Sequence, residues 1–385
     1  MNAQTQAPTL FARPDTLGIA WPDGSIDEFA SIWLYDNAPE HRDAHSGQRL
    51  VDIADLPEQP RIRAAAVQDG RLRVEWEGSA KRVWFDLPWL AAQRDRRAYR
   101  PEFEPRRWLD GANRKAARDF ARASWEHVQS ERGVQSSLLT RLIQDGIAFL
   151  SGVPAAEDAL LASMRLVGQV AETNYGLVFD VRSVPQPENL AYSDLGLGLH
   201  TDNPYRDPVP GFQALHVLIA SPDGGESLFA DGFALAEHLR AIDPDAFALL
   251  AHTPVPFHYR SQNAELFAER PLIELSCRGE VCAVHYNSRS IAPLRLAPLE
   301  AAPFYTAYRR FAAVLRERRF QLKLQLPQNE IVVFDNQRIL HGRTAFSSAR
   351  HARHARHLRG CYLTRDSVYS GAALLRRESA EGALR

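Results

Sequence analysis

The feature that most constrains the fold of this chain is a long series of short apolar segments between about residues 174 and 375. Two of them, Phe212–Ile219 and Glu330–Phe334, are largely apolar runs of strand length, and glycine and proline residues fall between such runs. Helical spacing of apolar residues interrupts the series near 232–251 and 298–318. Many short strands with peripheral helices are typical of an α+β fold around a core of two packed β-sheets.

The first part of the chain has a different pattern. Residues from about 13 to 95 contain short alternating runs, such as Arg71–Trp76, between Asp-Gly, Gly-Ser and proline turn signals, and they predict a small β-rich domain. Arg, Pro and Glu dominate residues 94–107, which makes this stretch the best linker candidate, whereas residues 108–170 have largely helical spacing. We therefore predict two domains, at 13–95 and 96–385.

Composition excludes several classes of protein. The 46 Lys and Arg residues are balanced by 47 Asp and Glu residues, and the net charge of −1 argues against a nucleic-acid partner. The apolar runs are too short to span a bilayer, and the first residues lack the pattern of a signal peptide. The three cysteines, Cys277, Cys282 and Cys361, are too few for a disulfide scaffold, so we expect a cytoplasmic protein.

The sharpest chemical signal is a pair of histidine motifs. The segment His200-Thr-Asp202 is followed far downstream by His341, which lies just beyond the end of a predicted strand. Because alternate residues of a strand point to one face, His200 and Asp202 are expected to offer an imidazole and a carboxylate to one metal ion, with His341 on a neighbouring strand. This donor set leaves three positions open and suits a non-haem Fe(II) oxygenase, whereas structural zinc requires four closed ligands. His216 and His285 are expected in the core or behind the ligands.

Further motifs accompany this pattern over nearly the whole chain. They are Trp33–Asn37, Ser46–Arg49, Asn189–Tyr192, His200–Pro204, Gly224–Ser227, Phe334–Asn336, Leu340–Arg343 and Arg356–Tyr362. Through these motifs the chain resembles the gamma-butyrobetaine dioxygenase and trimethyllysine dioxygenase branch of the taurine-dioxygenase-like, Fe(II)- and 2-oxoglutarate-dependent oxygenases. The resemblance implies a double-stranded β-helix (jelly-roll) catalytic core with flanking helices, a small β-rich N-terminal domain and a homodimer. It also implies Fe(II), the co-substrates 2-oxoglutarate and O2, and ascorbate as a reductant.

One feature departs from the family. Many relatives bind zinc in the N-terminal domain through three cysteines and a histidine, but the matching segment, Asp36–Arg49, contains no cysteine. We expect no zinc there, since a site without thiolates loses much of the usual affinity. The domain then has to hold this loop by packing, with four expected core residues, Trp33, Leu34, Leu50 and Trp84.

The resemblance also assigns the co-substrate site. The far carboxylate of 2-oxoglutarate favours a bidentate arginine partner. The family places this arginine at the start of an Arg-x-Leu-x-Gly-x-Tyr segment, and the matching residue is Arg356, fifteen positions after His341. The neighbouring Arg353 and Arg359 do not fit this register. Ser227, after the Gly-Gly-Glu turn, is expected to assist with its hydroxyl.

The substrate site of the family binds a quaternary ammonium group among aromatic rings, because such a cation has no hydrogen to donate. Four aromatic residues match these positions, and Phe179 stands where relatives often have Trp: Tyr175, Phe179, Tyr192 and Tyr362. The anionic end of the substrate is expected to meet the amides of Asn189 and Asn287. Arg289 would add positive charge there if it reaches the pocket.

The sequence is compatible with several functions. The resemblance favours hydroxylation of gamma-butyrobetaine to L-carnitine, with conversion of 2-oxoglutarate to succinate. A 2-trimethylaminoethylphosphonate hydroxylase is the alternative if Arg289 faces the substrate. A non-catalytic betaine-binding protein would not need the metal ligands or Arg356, and a metallohydrolase would need a further carboxylate base near the metal.

Overall fold

The computed structural model describes residues 7–93, 103–110, 119–182, 194–221, 223–346 and 356–383. The chain divides into two compact units, Met1–Pro101 and Glu102–Arg385. None of the described helices combines the length and the apolar composition that a membrane crossing requires.

The smaller unit contains two three-stranded antiparallel sheets. Their strands are Thr9–Ala12, Thr16–Ala20, Ile26–Ala30, and then Ile62–Gln68, Arg71–Trp76, Arg82–Asp86; the α-helices are Ser31–Asp36 and Leu87–Ala92. Asp69 and Gly70 connect the first two strands of the second sheet at φ of 50° and 74°. This left-handed backbone is the one that an Asp-Gly hairpin turn requires, so the strand pairing follows directly from the local sequence.

The core of the smaller unit differs in part from expectation. Leu34 is fully buried, but Trp33 and Trp84 are only half-buried, and Leu50 is 63% exposed. The prediction that Leu50 belongs to this core is therefore wrong. Strand residues such as Leu17 and Leu72 fill the core instead, because they alternate toward the space between the sheets and helices.

The loop that lacks the zinc-binding cysteines is held by polar contacts. The guanidinium of Arg49 binds both carboxylate oxygens of Asp36. Within the loop, Asp43 Oδ1 accepts hydrogen bonds from the backbone amide and the hydroxyl of Ser46, at 2.7 Å and 2.8 Å. Polar side-chain contacts thus hold this loop, and packing of Leu50 does not.

The larger unit is built around two β-sheets. The large sheet contains, in spatial order, Phe179–Arg182, His357–Leu363, Phe212–Ile219, Ile331–Asp335, Ile147–Ser151 and Ala121–Ser124, with Val170–Ala171 also paired to His357–Leu363. The small sheet contains Leu197–His200, Ile339–Arg343, Ser227–Asp231 and Leu322–Leu324. All these pairings are antiparallel except that between Ala121–Ser124 and Ile147–Ser151, which is parallel.

Helices and two hairpins surround these sheets. The α-helices are Trp125–Ser130, Arg132–Asp145, Ala159–Met164, Gly232–Ile242, Pro244–His252, Pro298–Arg316 and Arg365–Ala383. The hairpins are Val255–Arg260 with Glu265–Arg270 and Ile273–Leu275 with Val281–Val284. Residues 108–170, expected to be largely helical, also contain the strands Ala121–Ser124 and Ile147–Ser151, since segments as short as these fit either structure until they find a partner.

The two sheets face each other across an apolar layer. Val332 and Phe334 of the large sheet and Phe229 of the small sheet belong to one buried cluster. Ile331 and Val333, which alternate with them, pack against helices on the other face. This explains why Ile331–Asp335 is apolar without alternation, as both faces of the strand are buried. The architecture is the expected α+β jelly-roll core.

A buried ion pair fixes the start of one small-sheet strand. Arg338 and Asp231 are at most 1% exposed, and their nearest charged atoms lie 2.8 Å apart. Arg338 also donates to the backbone carbonyls of Arg106 and Gln144, and Asp231 caps the helix Gly232–Ile242. Every polar atom that this pair buries therefore has a partner, which is the condition under which a buried pair is tolerated.

Candidate active site

Two adjacent strands of the small sheet bring the two motif histidines together. His200 is the last residue of Leu197–His200, and His341 is the central residue of Ile339–Arg343. The two residues are directly opposite in the antiparallel register, with ring centroids 4.3 Å apart. His341 thus lies within a strand, not just beyond one as expected, because Asp335 to Arg338 form a tight turn into a further strand.

Asp202 reaches the histidines by a different route from the expected one. The strand ends at His200, so strand alternation does not direct the Asp202 side chain. Asn336, which is fully buried, instead accepts a hydrogen bond from the Asp202 amide at 2.7 Å and donates one to its carbonyl at 3.0 Å. One side chain of the turn that follows the strand Ile331–Asp335 therefore fixes the backbone of Asp202.

The side chains of the three residues converge. Asp202 Oδ1 lies 3.2 Å from His200 Nε2, and Asp202 Oδ2 lies 3.8 Å from His341 Nε2. One ligand atom from each residue lies within 4.8 Å of the others, so the group could hold a metal ion. His200 Nδ1 lies 2.9 Å from the carbonyl of Gly198, which can only accept a hydrogen bond. The proton is thereby placed on Nδ1, and the lone pair of Nε2 faces the other two residues.

The electrostatics of this group favour metal binding. Burial raises the pKa of Asp202, but the neighbouring imidazoles of His341 and His200 and the hydrogen bond from the Tyr362 hydroxyl outweigh it and hold this pKa well below its usual range. Burial, together with the neighbouring His200, lowers the pKa of His341 to about 3. An ionised carboxylate beside a neutral imidazole is the state that binds a divalent cation, and this donor set suits Fe(II).

The three residues lie in a cavity of about 460 Å³. Every predicted site residue that the structure describes lines it: His200, Asp202, His341, Ser227, Arg356, Tyr175, Phe179, Asn287 and Tyr362. Asn189 and Tyr192 lie outside the described residues. His216 and His285 are buried elsewhere, where their Nε2 atoms contact the Val153 carbonyl at 3.2 Å and the Glu274 carboxylate at 2.8 Å.

One end of the cavity carries buried positive charge. Burial and the neighbouring Arg343 lower the pKa of Arg356 to about 10, and among the described residues none forms an ion pair with Arg356. Gly225 provides the space for its stem, since an added Cβ would lie 2.8 Å from Arg356 Cδ. Ser227 pairs with Arg343 in the small sheet, and both line the cavity. An anion is the ligand that such an environment lacks.

The other end of the cavity is aromatic. The centroid of the Phe179 ring lies 5.0 Å from the centroid of the Tyr362 ring and 6.4 Å from that of the Tyr175 ring. Gly360 makes this position available, because an added Cβ would lie 2.5 Å from two atoms of the Phe179 ring. The positions of the Phe179 and Tyr362 rings are thus set by the pairing of two strands, Phe179–Arg182 and His357–Leu363.

Two tyrosines of the cavity were missed by the sequence analysis. Tyr205 and Tyr259 stack on each other with centroids 5.0 Å apart, and Tyr259 lies 6.2 Å from Tyr175. Tyr205 follows the His200–Pro204 motif directly, so its place beside the metal group could have been inferred. Nothing in the local sequence of Tyr259 distinguishes it from the other residues of its hairpin.

Polar groups lie beside the aromatic residues. Asn287 is buried and donates one of its two amide hydrogens to the Thr201 carbonyl at 3.1 Å, which leaves the second for a ligand. Arg289 also lines the cavity, with its Nε 3.5 Å from Asn287 Oδ1 and no ion pair to any described carboxylate. Burial lowers its pKa.

Comparison with known proteins identifies the family. Residues 112–362 match the model of the taurine catabolism dioxygenase TauD, TfdA family. The chain is 33% identical to a gamma-butyrobetaine dioxygenase of a Pseudomonas species, over 94% of both chains. It is 28% identical to the mitochondrial trimethyllysine dioxygenase of Gallus gallus, over 94% of this chain and 89% of that protein. A solved structure of asparagine oxygenase with Fe(II), hydroxyasparagine and succinate is similar at 19% identity and a TM-score of 0.47, covering 62% of this chain and 80% of that one.

The fold and the comparisons together define an Fe(II)- and 2-oxoglutarate-dependent dioxygenase. The chain belongs to the TauD/TfdA dioxygenase family, in the branch that contains the gamma-butyrobetaine and trimethyllysine dioxygenases.

Proposed function

We propose that this dioxygenase hydroxylates gamma-butyrobetaine to L-carnitine while it converts 2-oxoglutarate to succinate. The observation that carries the proposal is the aromatic end of the cavity, formed by Tyr175, Phe179 and Tyr362 with the additional rings of Tyr205 and Tyr259. Of the described residues, Asp202 supplies the only carboxylate in the cavity lining. A cation in this cavity therefore has to be bound by aromatic faces, which suits a trimethylammonium group. The similarity to a gamma-butyrobetaine dioxygenase supports the same substrate.

The remaining roles follow from the positions of the side chains. His200, Asp202 and His341 hold Fe(II), which supplies the oxidising chemistry when bound. Arg356, assisted by the Ser227 hydroxyl, binds the far carboxylate of 2-oxoglutarate through charge-assisted hydrogen bonds. Asn287 donates its free amide hydrogen to the anionic end of the substrate. These side chains thus orient both substrates beside the metal group.

A neutral isostere tests the aromatic site. Replacing the trimethylammonium group of gamma-butyrobetaine by a tert-butyl group keeps the shape and removes the charge. Because each cation–π contact contributes about 0.5–2 kcal/mol, we expect kcat/KM to fall about tenfold or more, measured as succinate formed per added substrate. Equal kcat/KM for the two compounds would refute the proposed cation site. Absence of any substrate-stimulated succinate would favour a non-catalytic binding protein.

Arg289, which lines the cavity, favours one alternative substrate, 2-trimethylaminoethylphosphonate. A guanidinium that forms no ion pair with any described carboxylate is complementary to a tail with more negative charge than a carboxylate. Competition between the two substrates in one reaction, followed by the ratio of hydroxylated products, separates the two functions. A higher kcat/KM for the phosphonate that disappears in Arg289→Gln would replace gamma-butyrobetaine as the proposed substrate.

A further inference from the structure

Tyr362 touches both halves of the active site. Its ring is part of the aromatic end, and the centroids of this ring and of the Phe179 ring lie 5.0 Å apart. Its hydroxyl donates a hydrogen bond of 2.9 Å to Asp202 Oδ2, and the side chain is 4% exposed. One buried side chain therefore joins the wall of the substrate cavity to the carboxylate of the metal group.

This contact matters because Asp202 has no strand to direct it. Asn336 holds the backbone of Asp202 but does not restrict the rotation of its carboxylate. A carboxylate can offer one oxygen or both to a metal, and a donor on one oxygen decides between these modes. The Tyr362 hydroxyl occupies Oδ2, whereas Oδ1 faces His200 Nε2 at 3.2 Å.

We propose that Tyr362 is a positioning residue for the metal site, since it holds Oδ2 and leaves Oδ1 of Asp202 as the metal ligand. The same ring lines the proposed substrate site, so a substrate bound at the aromatic end restrains Tyr362. This restraint increases the affinity of the site for metal. Thermodynamic linkage requires the reverse as well, so bound metal increases the affinity for substrate by the same factor. The inference rests on the proposed function, in which Asp202 is a metal ligand and the aromatic end binds a trimethylammonium group.

The first test uses metal alone. Co(II), whose visible absorption reports its coordination, is titrated into the metal-free wild-type protein and into Tyr362→Phe, which keeps the ring and loses the hydroxyl. Loss of a hydrogen-bond partner of a metal ligand typically weakens metal binding about 10–100-fold, so we expect the Kd to rise by about tenfold or more, with a changed spectrum. The control is Tyr308→Phe, whose ring stacks on Phe304 and does not line the cavity. An unchanged Kd and spectrum in Tyr362→Phe would overturn the proposal.

The second test adds saturating gamma-butyrobetaine to the same titrations. We expect the substrate to lower the Kd for Co(II) about fivefold or more in the wild-type and Tyr308→Phe proteins and to have no effect on it in Tyr362→Phe. An equal effect in all three proteins would show that coupling does not pass through Tyr362. If calorimetry shows that the wild-type protein does not bind gamma-butyrobetaine, the proposed substrate is wrong, and the titration with metal alone still decides whether Tyr362 positions Asp202.

Discussion

The metal end and the aromatic end of the active site are built in different ways. At the metal end, His200 and His341 are paired across two strands, and the buried Asn336 fixes the backbone of Asp202. At the aromatic end, most rings come from separate segments that are not paired to one another, and Tyr175 and Tyr259 are only partly buried.

This difference in construction matches the different functions proposed for the two ends, which are metal binding and recognition of the substrate. A metal site tolerates little displacement of its ligands, and a hydrogen-bonded sheet supplies that precision. Recognition of a quaternary ammonium group requires only that aromatic faces surround it, so segments that differ between relatives can provide them. We therefore expect substitutions at the metal end to affect all turnover, and those at the aromatic end to affect the choice of substrate.

The largest effect is expected at the metal end. His341→Ala removes one of three ligands, and we expect substrate-dependent succinate formation to fall below detection. Co(II) binding should weaken in parallel, while far-UV circular dichroism remains that of the wild type. Substantial turnover in this variant would contradict the assignment of His341 as a metal ligand.

A second prediction concerns the buried ion pair that supports the strand of His341. Asp231→Ala leaves Arg338 buried without its counter-ion, and we expect the free energy of unfolding to fall by about 3–5 kcal/mol, measured with urea. The matched control is Asp36→Ala, which removes the exposed ion pair to Arg49 in the smaller unit and is expected to cost less than about 1 kcal/mol. Equal losses in the two variants would show that burial does not distinguish the two pairs.

The next prediction concerns the co-substrate arginine. Arg356→Ala is expected to raise the KM for 2-oxoglutarate about 10–100-fold, because a hydrogen bond to a charged group contributes about 1.5–3 kcal/mol. The KM for gamma-butyrobetaine should change far less. Arg359→Ala is the control, since its side chain contacts Asp180 at 3.1 Å and does not line the cavity. A larger effect in the control would show that the wrong arginine has been assigned.

The aromatic end is tested by a change that adds one methyl group. Gly360→Ala places a Cβ 2.5 Å from the Phe179 ring, which must then move. We expect the KM for gamma-butyrobetaine to rise about threefold to tenfold, equivalent to part of one cation–π contact, with Co(II) affinity unchanged. Gly133→Ala is the control, because an added Cβ there has nothing within 4 Å. An unchanged KM in Gly360→Ala would argue that the position of Phe179 does not matter for binding.

The smallest effect is a dependence of stability on pH. His285 lies behind the segment that carries Asn287, and its burial lowers its pKa although it contacts Glu274. Below about pH 6.5 the unfolded chain binds a proton that the folded protein does not, so the free energy of unfolding falls with acidification, by at most about 1.4 kcal/mol per pH unit. Urea unfolding between pH 5.5 and 7.5 should show a shallower slope in His285→Gln. Identical slopes would mean that His285 is not held in its neutral form.

The two ends also differ in how far the sequence predicted them. Both histidines and Asp202 were named as a metal group from residue type and motif spacing, and the structure brings them together. The predicted reason for the position of Asp202 was wrong. An alternating strand was expected to direct its side chain, but the strand ends at His200. Tyr259 was missed altogether, since its place in the cavity depends on the position of a whole hairpin.

The sequence by itself determined the elements whose signals are local. Apolar runs specify the two sheets, the Asp69-Gly70 pair specifies a hairpin, and the histidine and carboxylate side chains specify which metals can bind. Only the tertiary structure decided that Leu50 lies outside the core and that Tyr362 bonds to Asp202. The physical reason is that these contacts join residues far apart in the chain. Their geometry follows from the packing of the two sheets, which no short segment encodes.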